Sequence, residues 1–361
     1  MKTTPVSVED LRGSVIAVPP LARRADGSQD AAANGALLAH LKRGGISTYM
    51  YGGNANFYNL GVAELGTVVD ALAAQLKAGE WLIPSVGPDF GKAREQLALL
   101  AERGFPTAMV LPLRFPSTQA GVATGLRKLA ERYGRPLIAY VKDEGYLAED
   151  DLAALVKDGA VCAVKYAIVR EDPRRDAVLA ALVERLGAER IISGIGERPV
   201  IDHFRSFGLR AFTSGSCCVA PALSNAIRLA LLDGDDTRAA ALRERFIALE
   251  DARDAYSPIR VLHAAVEAAG IAPLGPIGEF LSRIEDPAQL REIEAAAVAL
   301  HADNAAALAW AAPRIVAPAC PARYDSGLPA PPRRRAAAPP RRRAAMRAAR
   351  FPSRRQPGSR S

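Results

Sequence analysis

A lysine placed inside an apolar run is the residue of this sequence with the clearest chemical meaning. Lys165 sits in VCAVKYA, residues 161–167, where a charged ammonium loses its hydration unless something compensates. Buried lysines respond by lowering their pKa, and a neutral amine is a nucleophile toward carbonyl carbon. If the run is a strand, Ala163, Lys165 and Ala167 share one face, and small neighbours leave room for a substrate. The alternative is a lysine at a strand end that reaches solvent or pairs with a nearby acid.

Two further segments supply groups that suit such an amine. In PLIAYVK, residues 136–142, alternation puts Ile138, Tyr140 and Lys142 on one face, with Tyr140 deep and Lys142 nearer the mouth. A phenol there can shuttle protons between carbinolamine, imine and enamine, and a neighbouring cation favours its phenolate form. In GGNANFYNL, residues 52–60, Gly52 and Gly53 permit close backbone approach, so that two N–H donors can meet a carboxylate, and Asn54 adds a side-chain amide. Seen alone, the first segment is equally a strand with a packed tyrosine, and the second a turn that contacts nothing.

Stepping outward from these residues, apolar runs of strand length alternate with amphipathic stretches from about residue 14 to 232. The strands are expected at 14–21, 47–53, 81–87, 107–113, 136–142, 161–167, 190–196 and 210–216. Each precedes a helical pattern, such as AREQLALLAERG or RDAVLAALVERLG, and several of these end in glycine. Eight short, evenly spaced βα units without a GxGxxG turn after the first strand favour a closed (β/α)₈ barrel over a doubly wound sheet. Residues 1–235 are expected to form this α/β barrel and 236–317 a helical extension that packs beside it or makes a subunit contact. Residues 318–361 are expected to be a disordered tail rich in Arg, Pro and Ala.

Composition removes several other classes. The net charge of +8 is local, because residues 318–361 contain 12 Arg, no Lys and one acid, Asp325, which leaves −3 on the remainder. The tail could contact nucleic acid non-specifically, but it lacks aromatic residues interleaved for base stacking. Cys162, Cys217, Cys218 and Cys320 show no CxxC spacing, and the four histidines form no HExxH or HxH pattern. Neither disulfides nor a metal is expected, the Cys217–Cys218 pair is expected to be packing, and His203 and His263 are read as structural. No stretch approaches the roughly 20 apolar residues of a membrane span, and the N-terminus lacks the apolar core of a secretory signal. A soluble cytoplasmic enzyme is the expectation.

Together the three segments resemble the dihydrodipicolinate synthase and N-acetylneuraminate lyase family of class I aldolase-like barrels, over about residues 10–300. GGNANFYNLGVAE aligns without a gap onto that family's GTTGEFFTLSxEE, PLIAYV resembles its strand with the catalytic tyrosine, and VCAVKYA its strand with the Schiff-base lysine. The resemblance implies that Lys165 forms an imine with a 2-keto acid, that Tyr140 moves protons, and that Gly53 and Asn54 hold the carboxylate. It also implies Gly194 in ISGIGERP beside the substrate, no metal or organic cofactor, and a homo-oligomer, tetramer or dimer. Ser193, Glu197, Ser214 and Ser216 end the last two strands as weaker candidates; the alternative for Glu197 is an acid that opens a helix.

Departures from the family narrow the function. Gly53 and Asn54 stand where two threonines are usual, so the relay hydroxyl is missing, and Asn56 replaces the usual glutamate. LPLRFPSTQAG after the fourth strand lacks the tyrosine that members often lend to a neighbouring subunit. Gly145 occupies the spacing of the arginine that holds aspartate semialdehyde in 4-hydroxy-tetrahydrodipicolinate synthase, which argues against lysine biosynthesis. YVKDEGYL is more similar to the YNRDNAxL of keto-deoxy-sugar-acid dehydratases. The expected function is thus an aldolase or dehydratase acting on a pyruvate-derived or keto-deoxy-sugar acid, with Lys142 and Gly194 completing the substrate site. The rival reading is a keto-acid-binding barrel without turnover.

Overall fold

A computed structural model describes residues 1–311 of the chain, with side chains to residue 308. The expected tail at 318–361 lies outside the described residues. Eight parallel strands close into a barrel in sequence order, with β8 pairing back to β1. They are β1 Ile16–Ala17, β2 Thr48–Tyr51, β3 Trp81–Val86, β4 Met109–Val110, β5 Leu137–Val141, β6 Val161–Tyr166, β7 Ile191–Ser193 and β8 Ala211–Ser214. All eight fall within the runs read from the sequence, and each is shorter than its run. The surplus residues continue past the last ladder bond into the loops at the barrel mouth, where a parallel barrel carries its working groups.

The helices are α1 Val8–Leu11, α2 Ala31–Arg43, α3 Val62–Ala73, α4 Phe90–Glu102, α5 Gln119–Tyr133, α6 Glu149–Lys157, α7 Ala177–Leu186, α8 Val200–Phe207, α9 Pro221–Asp233, α10 Asp236–Glu244, α11 Ile247–Ala255, α12 Pro258–Ala268 and α13 Pro287–Ala311. Their starts follow from local chemistry. Asp30, Asp89, Asp176 and Asp235 accept bonds from the first free N–H groups of α2, α4, α7 and α10. The strands are buried on both faces, as expected when helices cover a closed parallel sheet.

The sequence pattern at 238–256 suggests one helix; the structure has two, α10 and α11, with Phe246 fully buried at the joint. Leu249, Val261, Leu262 and Ile293 from α11 to α13 belong to the same hydrophobic core as the barrel. The consequence for function is positional. Helix α12 packs on the turns that follow both β2 and β8, and so brings the end of α11 to the barrel mouth. Among the described residues no helix is long and apolar enough to cross a membrane.

Candidate active site

The pairing of β5 with β6 decides which side chains meet. Leu137 pairs with Val161 but Ile138 with Ala163, so β6 carries one extra residue, Cys162, as a bulge. Beyond the bulge Tyr140 pairs with Lys165. Without it Tyr140 would oppose Val164, and Lys165 would face the other side of the sheet from Tyr140. The Cys162 thiol donates to the Leu137 carbonyl at 3.5 Å, which fixes the bulge locally.

Lys165 is only 5% exposed and has no carboxylate within ion-pair distance among the described residues. Burial, together with the positive charge of Arg253, pulls its pKa from 10.5 down to about 7. Its Nζ lies over the face of the Tyr140 ring, 3.8 Å from the centroid. The sequence reading expected the cation to lower the tyrosine pKa. Instead burial pushes the Tyr140 phenol up, with Lys142 opposing and Asp143 adding to the rise. The amine meets the ring face rather than the oxygen, and the phenol keeps its proton at neutral pH.

Lys165 and Tyr140 open into a cavity of about 280 Å³ at the ends of the strands, which Lys142, Gly53, Asn54 and Gly194 also line. The six residues singled out in the sequence are thus brought together. Gly194 has a steric reason: a Cβ there would lie 2.6 Å from the Tyr166 carbonyl oxygen and 3.1 Å from Lys165 Cγ. Its N–H donates to that same carbonyl at 2.6 Å. Gly52 is equally constrained, since a Cβ would come within 2.6 Å of Ser85 Oγ. After Gly52 the chain makes one 3₁₀ turn, Gly53–Ala55, in which the N–H groups of Asn56 and Ala55 bond back to the chain. The N–H groups of Gly53 and Asn54 make no hydrogen bond among the described residues. Adjacent free donors of this kind are what a carboxylate would require of the turn.

The Asn54 side chain differs from its expected use, because its amide N–H donates to the Val18 carbonyl at 2.8 Å. Asn56 is buried with φ 56° and ties the segment around Glu279 to the turn through a 2.9 Å bond. Glu197 neither opens a helix nor lines the cavity. It is fully buried and accepts hydroxyl bonds from Ser214 at 2.8 Å and Ser224 at 2.5 Å. Burial and the nearby Glu250 carboxylate push its pKa up to about 7. Ser193 bonds His203 Nδ1 at 2.8 Å, and His263 bonds the Gly275 carbonyl at 2.9 Å, both within the packed interior. Cys217 and Cys218 are fully buried, as packing requires.

The sequence reading missed Tyr58, Glu250, Arg253 and Asp254, which also line the cavity. A signal for two of them existed. In FIALEDAR, residues 246–253, Glu250 and Arg253 fall beside the apolar stripe of Phe246, Leu249 and Ala252 rather than opposite it. Ions at i and i+3 usually form a solvated surface pair. Here Glu250 is 4% exposed.

A larger groove of about 660 Å³ lies elsewhere, with Phe90, Phe115 and Tyr146 in its lining. Its walls are mainly apolar and it does not include Lys165, so the smaller cavity is the better candidate for chemistry.

Fold and cavity define a class: a parallel (β/α)₈ barrel whose sixth strand projects a buried lysine of lowered pKa toward a tyrosine on the fifth. The chain is similar, at low identity, to sugar-acid dehydratases, and it shares its fold with dihydrodipicolinate synthases. It is 26% identical over 293 residues to a protein named probable 5-dehydro-4-deoxyglucarate dehydratase 2 from Streptomyces avermitilis, covering 79% of this chain and 86% of that one. It is 24% identical over 269 residues to probable 5-dehydro-4-deoxyglucarate dehydratase 1 from Streptomyces coelicolor, covering 69% and 81%. The crystal structure of dihydrodipicolinate synthase from Bacillus clausii superposes with a TM-score of 0.71 at 22% identity, over 82% of this chain and 98% of that one, and shares the fold. No family model matches the chain.

Proposed function

We propose that this protein is a lyase that holds a 2-keto acid as a Schiff base on Lys165 and makes or breaks a bond beside the keto carbon. The observation that carries the reading is a buried lysine amine, with a pKa near 7, packed against Tyr140 in a cavity at the barrel mouth. At neutral pH a large fraction of the amine is free to attack the C2 carbonyl. The keto-acid carboxylate docks on the N–H groups of Gly53 and Asn54. The carbinolamine oxygen takes a proton from the Tyr140 hydroxyl and leaves as water, giving the imine. The imine then accepts electrons either as a proton leaves C3 and hydroxide leaves C4, or as the C3–C4 bond breaks. Lys142, on the same face one pleat nearer the mouth, attracts the polar or anionic far end of the substrate. Gly194 leaves space for the lysine stem. Neither path requires a metal or an organic cofactor.

Dehydration of a keto-deoxy-sugar acid is favoured over aldol cleavage. The two relatives are named as probable 5-dehydro-4-deoxyglucarate dehydratases, and YVKDEGYL departs from the synthase pattern at Gly145. A cytoplasmic homo-oligomer, tetramer or dimer, completes the proposal. Phe115, 86% exposed beside the apolar groove, supports a contact between copies. A second reading, a keto-acid-binding barrel without turnover, has one observation in its favour. Among the described residues the Tyr140 hydroxyl has no hydrogen-bonded relay partner.

Both readings are tested by incubating the purified protein with 5-dehydro-4-deoxyglucarate and following substrate loss. The dehydratase reading predicts consumption that Lys165→Ala abolishes, without release of pyruvate. Pyruvate release would mark an aldolase. Binding with no consumption would leave the non-catalytic barrel.

A further inference from the structure

The helix that follows the barrel brings a guanidinium into the cavity. Arg253 stands in the last turn of α11, and its side chain is 11% exposed. Two of its three nitrogens are engaged. Nη1 donates to Glu250 Oε1 at 2.7 Å and to Ser216 Oγ at 3.1 Å, and Nε points to the Pro258 carbonyl at 3.4 Å. Nη2 donates to no group among the described residues. Charge balance for the buried Glu250 accounts for Nη1. It leaves Nη2 unexplained.

What Nη2 faces is set by Gly215, the residue after β8. A Cβ at Gly215 would lie 2.7 Å from Arg253 Nη2 and 2.9 Å from Asn54 Nδ2. The guanidinium and the turn that carries the two free N–H groups therefore approach each other across a position that only glycine leaves open. One of the two Asn54 Nδ2 donors is taken by the Val18 carbonyl, and the turn has no hydroxyl, so the turn by itself is a sparse anion site. A guanidinium fork adds a planar, permanently charged donor suited to a carboxylate.

We propose that Arg253 is the third arm of the keto-acid carboxylate site, gripping the carboxylate through Nη2 opposite the N–H groups of Gly53 and Asn54. The proposal deepens the imine reading above and rests on it for the identity of the ligand. The same charge also sits close enough to Lys165 to help keep its amine neutral. The arm that binds the acid group thus favours the nucleophilic form of the lysine.

The test compares pyruvate with hydroxyacetone, a ketone lacking the carboxylate, in the full-length protein and in Arg253→Gln, Arg253→Lys and Gly215→Ala. Binding is read by calorimetry and imine formation by borohydride trapping. Losing a charge-assisted hydrogen bond should raise the pyruvate concentration for half-saturation by about 10-fold or more in Arg253→Gln. Arg253→Lys should fall between, and hydroxyacetone should change little. Gly215→Ala keeps both charges of the Arg253–Glu250 pair and displaces only the guanidinium's free edge, so it carries the test if Arg253→Gln does not fold, and it too should lose pyruvate selectively. Unchanged pyruvate binding in the folded variants, or equal weakening for both ligands, would overturn the proposal. Repeating the calorimetry in a Lys165→Ala background separates the two readings. There no imine forms, and Arg253→Gln should still weaken pyruvate. If wild type traps neither ketone while Arg253→Gln lowers pyruvate affinity, the imine reading falls and the Arg253 site stands.

Discussion

At the scale of single residues the chemistry depends on one amine that burial keeps partly neutral. With a folded pKa of about 7, pyruvate trapping should rise as pH increases through 7 and then level off, whereas an ordinary lysine would keep gaining toward 10.5. Stability carries the opposite face of the same shift. The depressed pKa means the unfolded chain binds the proton more tightly, so the burial penalty is full below about pH 7 and fades as pH approaches 10.5. Lys165→Met should therefore raise the melting temperature at pH 7, and the gain should shrink at alkaline pH. A gain independent of pH would mean the lysine is not buried as described. Tyr140→Phe should keep the trapped adduct but slow turnover by about 10²-fold or more, the usual contribution of a general acid; unchanged turnover would remove the phenol from the relay. Lys165 and Tyr140 were legible because each breaks an apolar alternation. Arg253 was not, because an acid and an arginine three residues apart on a helix have the signature of a solvated pair, and only tertiary packing buries them.

At the scale of elements, eight strands could be read from apolar runs, but their lengths could not, since ladder bonds stop where the chain turns into the mouth. The bulge at Cys162 left no mark in the composition. Alternation put Tyr140 and Lys165 on the inward face of each strand taken separately, but the pairing that brings them together depends on the bulge and could not be read. The split of the 238–256 pattern into α10 and α11 was hidden for a related reason. Phe246 fits an apolar stripe whether the helix continues or breaks. Gly194 tests how β7 supports the site. Gly194→Ala would force a methyl against the Tyr166 carbonyl and the stem of Lys165. Overpacking of this kind costs about 1–3 kcal/mol. Its signature should be a lower melting temperature combined with loss of imine trapping. A variant as stable and as reactive as wild type would show that β6 and β7 are not packed this closely.

At the scale of the whole molecule, charge and chemistry are expected to separate along the chain. Residues 318–361 carry +11 and the remainder −3. Deleting 318–361 should leave turnover within about twofold and abolish salt-sensitive RNA retention; loss of turnover would tie the tail to the enzyme. The barrel was legible as a whole because βα units repeat at even spacing. The closing of the site by α11 and α12 was not, since nothing in an amphipathic helix states which end of a barrel it covers. The most direct test of the central claim is reduction with borohydride in the presence of pyruvate, followed by peptide mapping. One adduct is expected, on the peptide containing VCAVKYA, absent in Lys165→Ala and retained in Lys142→Ala at higher pyruvate concentration. Label on Lys142, or an adduct that survives Lys165→Ala, would contradict it.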